Sequence, residues 1–159
     1  MNRRHLLMLL AAAPLPAFAQ SLNPTKPQPE LPKERLVIAT RDGKRLEFNV
    51  EMALTLEQQT VGLMFRPNVP PEGGMLFDWG TPRDSSMWMR NTISSLDMLF
   101  INADGTIRAI AENTVPESLA VISSRGPVRA TLELAAGTTT RLNIRVGDKV
   151  EQRIFGNAS

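Results

Sequence analysis

The sequence predicts a mainly β domain: a compact, jelly-roll-like sandwich or barrel of about seven or more short strands with one or two short helices. Three observations predict it. Turn signals such as Asp42-Gly43, Asp104-Gly105 and Gly147-Asp148 recur along the chain. Between them apolar residues repeat at every second position, the period of a strand with one wet face. Only two stretches, Thr55 to Leu63 and Gly137 to Asn143, carry helix start or stop signals. Many short strands punctuated by turns close most readily into a sandwich or small barrel.

The N-terminus stands apart. Asn2-Arg3-Arg4-His5 is basic, Leu6 to Ala13 is apolar, and Ala17-Phe18-Ala19 is a small-residue cleavage site, so residues 1–19 read as a signal peptide. Arg3-Arg4-x-Leu6-Leu7 suits a twin-arginine signal, and a Sec signal fits as well. Both imply a periplasmic or secreted protein cleaved near Ala19. The apolar run falls short of the roughly 20 residues a bilayer span requires, and no cysteine follows it, so no permanent membrane anchor is expected. Residues 20–34 hold Pro24, Pro27, Pro29 and Pro32 and read as an extended leader. Residues 35–156 form one domain.

Within that domain Arg35 to Thr40 is β-like and Asp42-Gly43 turns the chain. Leu46, Phe48, Val50 and Met52 alternate with Glu47, Asn49 and Glu51, a strand with a wet face. Thr55 as N-cap and Gln58 three residues on form a capping box for a short helix ending near Gly62. A Pro/Gly loop follows, then the buried strand Met75-Leu76-Phe77, a second turn region from Gly80 to Ser85, and a strand from Met87 to Arg90. Leu96 to Asn102 and Thr106 to Glu112 pair across Asp104-Gly105. Asn113 to Pro127 is a long loop. Val128, Ala130, Leu132 and Leu134 alternate with Arg129, Thr131 and Glu133, predicting a second half-buried strand. A helical turn capped by Thr138 and a last strand, Lys149 to Phe155, complete the chain.

Composition excludes much chemistry. The sequence has no cysteine and no tyrosine, and its one histidine, His5, leaves with the signal. A histidine general base, a cysteine nucleophile and a His/Cys zinc site are therefore absent from the mature chain. Eighteen Lys and Arg, less Arg3 and Arg4, match the 16 Asp and Glu, so the mature protein is neutral overall. No basic cluster suggests nucleic acid. No phosphate loop, calcium loop or nucleophile elbow is present, and no cofactor is called for.

The stretch from Gly73 to Asp97 concentrates what remains, with both tryptophans beside an Arg-Asn-Thr set and an aspartate. On a strand from Leu96 to Ile101, Leu96, Met98 and Phe100 face one way, and Asp97, Leu99 and Ile101 the other. Asp97 would thus be at least partly buried and in need of hydrogen bonds or a cation. Arg90, Arg66 or the Asn91-Thr92 segment are the nearest partners in sequence. Two readings follow: an internal clamp, or a ligand-facing or proton-transferring acid. Trp88, Arg90 and Thr92 would share a strand face opposite Met87, Met89 and Asn91. That face is either a buried indole with a rim arginine or a wall for planar, sugar-like ligands. Met64, Met75, Met87, Met89 and Met98 either fill core gaps or offer soft sulfur ligands to Cu(I).

In order, Gly62-Leu63-Met64-x-Arg66, Gly74-Met75-Leu76-Phe77, Trp88-Met89-Arg90-Asn91-Thr92, Leu96-Asp97, Asp104-Gly105, Glu133-Leu134-x-Ala136-Gly137 and Gly147-Asp148 resemble the DUF192 family (COG1430), over residues 36–155. Arg90 replaces a family lysine and Asn143 a common glycine. The resemblance implies a jelly-roll-like or barrel-like β domain and no activity, since the family is uncharacterised. It adds that Arg66, Trp88, Arg90, Asn91, Thr92 and Asp97 occupy motif positions. The resulting expectation is a monomeric, non-enzymatic periplasmic binding or accessory module whose ligand site is built from those six residues, with no metal. Its partner would be a small polar or anionic ligand or a segment of an envelope protein. The alternative is a carboxylate-dependent hydrolase or lyase using Asp97, with Asp78, Asp84 or Glu112 as the second acid.

Overall fold

Seven strands and two short helices make up the computed structural model, which describes residues 23–158; the signal peptide expected at residues 1–19 lies outside the described residues. In chain order they are β1 (Lys33–Ala39), β2 (Arg45–Ala53), α1 (Leu56–Val61), β3 (Met75–Met87), β4 (Leu96–Ile101), β5 (Ile107–Ala111), β6 (Ile122–Ala135), α2 (Thr138–Leu142) and β7 (Lys149–Glu151). They form one sheet ordered β5-β4-β6-β3-β2-β1-β7. Every neighbouring pair is antiparallel except β2 and β3. That parallel pair needs a long crossover, which α1 and the Pro/Gly loop supply. The sheet curls until its ends nearly meet: the Ile107 amide donates to the Asp148 carbonyl and Thr106 bridges to Lys149. The expected mainly β, barrel-like architecture is thus observed. No helix among the described residues is long and apolar enough to cross a membrane.

The inner face of the roll holds one apolar cluster drawn from every strand, including Leu36, Phe48, Val50, Leu76, Leu99, Ile107, Leu132 and Val150. A second cluster covers the outer face of the central strands, with Met75, Phe77, Met98, Phe100 and Val128 packed under Leu63 and Met89. The central strands are therefore dry on both sides. β4 is buried at all six positions, as its sequence predicts. β6 is buried from Ala130 through Leu134 on both faces, which corrects the expectation of a half-buried strand. Its Thr131 and Glu133 face the second cluster rather than water.

Other boundaries also shift. β3 runs on through Gly80–Ser85, read above as a turn, because β6 pairs with it past an irregularity between Asp78 and Arg83. β6 correspondingly starts at Ile122, inside the predicted loop. β3 ends at Met87, so Trp88 to Arg90 lie beyond the strand. β7 stops at Glu151 and a single 3-10 turn, Arg153–Phe155, follows. The α1 capping box forms as predicted: the Thr55 side chain accepts from the Gln58 amide, while the Gln58 side chain accepts from the Thr55 amide.

The leader docks on the domain. The Gln28 side chain donates to the Gln58 and Gly62 carbonyls at 3.0 and 2.9 Å, satisfying the end of α1. Leu31 packs against the second cluster, and its amide donates to Glu51 at 2.7 Å.

α2 is capped by a residue distant in sequence. Its N-cap is Gly137 in a left-handed conformation, not Thr138, and makes no side-chain cap. The buried Asp97 carboxylate acts instead: one oxygen accepts from the Asn113 and Gly137 amides at 2.9 and 3.2 Å. The other accepts from the Thr139 amide at 2.9 Å and its hydroxyl at 2.7 Å. One side chain on β4 thereby fixes the loop after β5 and the start of α2.

Two substitutions test this framework by urea unfolding. Asp97→Ala strands three backbone N–H donors around a buried hole and is expected to cost on the order of 3 kcal/mol or more, with Asp97→Asn less harmful. Gly74 opens β3 at φ +150°, where an added Cβ would press on the Glu133 carbonyl and come 2.8 Å from the Leu134 side chain. Gly74→Ala is expected to lower the unfolding midpoint by the equivalent of about 2 kcal/mol.

Candidate functional site

The six residues singled out from the sequence do not converge. Asp97 is fully buried, with both oxygens occupied as described, and neither an arginine nor Trp88 reaches it. The expected pairing of Asp97 with Arg90, Arg66 or Asn91-Thr92 is therefore replaced by backbone amides and Thr139. A Glu112 oxygen lies 2.8 Å from the same Thr139 hydroxyl, whose single proton serves one of the two carboxylates at a time, so a second acid does lie nearby. Asp97 nonetheless offers no free oxygen and no exposed edge. Arg66 makes a two-point ion pair with Glu51 at 2.6 and 2.9 Å, the same carboxylate that holds the leader. It binds elements of the domain together.

The other four gather at one edge of the second apolar cluster. Asn91 takes a positive φ of 54°, and the turn it makes returns the chain so that the Thr92 amide donates to the Met89 carbonyl at 2.9 Å. The Asn91 side-chain NH2 contacts the Met64 sulfur at 3.8 Å, and the Asn91 backbone carbonyl accepts from the Phe65 amide. Arg90 lies over the Trp88 ring, 5.3 Å from its centre, and bonds Asn23 of the leader. Trp88, 45% exposed, and the buried Thr92 line a cleft.

That cleft, about 310 Å³, opens between α1 and β3. Its walls are Leu63, Met64, Phe77, Trp79 and Met87, with exposed Leu56, Arg83, Ser86 and Trp88 around the mouth. The rings of Phe77 and Trp79 sit 5.7 Å apart at 31°. The Trp79 indole N–H donates to the Thr131 hydroxyl at 3.2 Å, which fixes the ring's edge. Arg83 covers part of the ring's face, 4.4 Å from a ring centre. It has no carboxylate partner among the described residues.

Among these apolar walls lies Glu133, only 4% exposed. It stands opposite Met75 on β3 and Met98 on β4. Its carboxyl has no hydrogen-bond or ion-pair partner among the described residues. Burial alone pushes its pKa up to about 8, so near neutral pH it is an uncharged acid with an O–H to give. A buried polar group without a partner costs stability and calls for an explanation. Sequence reasoning missed Glu133 because the alternation of β6 assigned it to the wet face. The available signal was its place in the Glu133-Leu134-x-Ala136-Gly137 motif.

Of the five methionines considered for copper, Met64 and Met87 border the cleft, whereas Met75, Met89 and Met98 are packed in the second cluster. Among the described residues no group of three or more acids, cysteines or histidines is placed to hold a metal ion.

No curated protein matches the sequence. Two solved structures resemble the chain closely. One, described as a "putative transcription regulator" from Sinorhizobium meliloti 1021, has a TM-score of 0.77 at 47% identity, covering 80% of this chain and 98% of that one. The other, a protein of unknown function from Novosphingobium aromaticivorans DSM 12444, has a TM-score of 0.74 at 36% identity, covering 86% and 94%. The family pattern matches from residue 37 to residue 152, and the chain belongs to the DUF192 family, described as Uncharacterized ACR, COG1430.

Proposed function

We propose that this protein is an exported, non-enzymatic binding module that takes a small ligand in the cleft between α1 and β3. The observation that carries the reading is Glu133: a buried carboxyl, unpartnered, lining a cavity with aromatic and thioether walls. A pocket with apolar sides and one convergent polar group suits a ligand with an apolar body and a polar tip. The cavity admits a small molecule of about a dozen non-hydrogen atoms more readily than a folded partner. The basic start of the sequence, its short apolar run and the Ala17-Phe18-Ala19 site support export. The balanced charge of the mature chain offers no footprint for nucleic acid.

A reaction driven by Asp97 has no support in this geometry, because the carboxylate is consumed in holding α2. Glu133 is no better placed as half of a paired-carboxylate centre: no second acid lines its cleft.

Two measurements test the reading. Burial raises the folded pKa of Glu133 to about 8 from its ordinary value of 4.5, so above pH 4.5 the unfolded chain gives up a proton that the folded chain retains. Stability should therefore fall as pH rises between those values and level off above pH 8. Glu133→Gln should flatten that slope and raise the melting temperature at pH 8. An unchanged slope would mean that the carboxyl is solvated or paired. In a thermal-shift screen of small amphiphilic molecules, ligands that stabilise the wild type should lose most of their shift in Leu63→Trp, which fills the cleft. Equal shifts in both proteins would place binding elsewhere.

A further inference from the structure

We propose that the cleft takes a small zwitterion, its ammonium group against Glu133 and its anionic group beside Arg83 at the mouth. The proposal rests on the cleft's being the ligand site and adds the ligand's charge pattern. Three features point to it.

The first is the unpaired acid. A buried carboxyl gains most from a ligand cation that can enter the same dry space, because the attraction between the two is little screened there. The second is the wall chemistry. Phe77, Trp79 and Trp88 present ring faces or edges, and Met64 and Met87 present polarizable sulfur, surfaces that favour an alkylammonium group over an anion. Both tryptophans already stack against a guanidinium, from Arg83 at 4.4 Å and Arg90 at 5.3 Å, the arrangement in which an indole face attracts a cation. The third is the distribution of charge along the cleft. Glu133 is buried within it, whereas Arg83 is exposed at its mouth without a carboxylate partner among the described residues. A simple amine would satisfy the first and leave the second unused. A simple acid would meet the arginine but leave its apolar body beside an unsatisfied carboxyl.

Entry of the ammonium group ionises Glu133. The carboxyl O–H bond breaks, its proton passes to solvent, and the carboxylate pairs with the ligand's N–H groups. Binding is thus coupled to the release of one proton. Below the pH at which free Glu133 ionises, affinity should climb with pH.

The test is calorimetric titration of the purified protein with four molecules that share a phenyl body. They are L-phenylalanine (zwitterion), phenethylamine (cation alone), 3-phenylpropionate (anion alone) and 3-phenylpropanol (neutral). Phenylalanine should bind at least about tenfold more tightly than phenylpropanol, with phenethylamine between them and phenylpropionate weakest. Glu133→Gln should weaken phenylalanine and phenethylamine by about tenfold or more and spare phenylpropanol. Arg83→Ala, an exposed substitution that leaves the fold intact, should weaken phenylalanine but not phenethylamine. Titrations in buffers of different ionisation heat should report about one proton released per phenethylamine bound at pH 7. Phenylpropanol or phenylpropionate binding as tightly as phenethylamine would overturn the charge assignment while leaving the cleft a ligand site. Charged ligands indifferent to both substitutions would do the same. Failure of all four to bind would remove both the assignment and the site.

Discussion

β6 has water on neither side along its second half, and most of what distinguishes this domain follows from that. Its even-numbered residues from Ala130 to Leu134 fill the inside of the roll, while Thr131 and Glu133 meet a second apolar layer built on the outside. A sheet with one dry face would have left Glu133 in solvent. The second layer exists because α1, the turn at Asn91 and the Pro-rich leader all fold over the same central strands. Each of these covers is fastened by polar contacts at its ends: the capping box of α1, the Asn91 turn, and the leader's bonds to Gln58, Gly62 and Glu51. Burial of the acid is a by-product of layering, not of any local sequence preference.

The same constraint explains which parts of the fold could be read from the chain. Turn chemistry and short-range caps were legible, because Asp42-Gly43, Asp104-Gly105 and the Thr55/Gln58 box act within a few residues. The double burial of β4 was legible from its nearly unbroken apolar run. β6 misled because Arg129, Thr131 and Glu133 give a perfect alternation, and alternation reports polarity rather than exposure. The length of β3 was hidden for a different reason. Gly80, Pro82 and Asp84 are turn formers; Gly80 does take a left-handed φ of 78°, and the strand resumes only because β6 pairs with it again from Arg83 onward.

Asp97 shows both the reach and the limit of reading a site from residue type. Its burial, and the need to satisfy it, followed from the strand pattern. The identity of its partners did not, since Gly137 and Thr139 lie 40 and 42 residues away and contribute mainly backbone N–H groups. Backbone donors carry no signature in a sequence, whereas Arg90 and Arg66 advertise themselves. Of the six residues first grouped, Trp88 and Thr92 line the cleft, Arg90 and Asn91 support its rim, and Asp97 and Arg66 hold the frame. The residue that gives the cleft its chemical character was outside the group.

Where the roll fails to close, a slot remains between β5 and the first half of β6, bordered by Ala109, Ala111, Ile122 and Ser123. Arg108 lies across one end of it and donates twice to the Arg125 carbonyl, at 3.2 and 2.8 Å. The guanidinium bridges β5 to the first half of β6 across the side of the roll that no strand ladder closes. In a chain with no cysteine, the seam on that side is thus tied by one guanidinium rather than by a covalent bond.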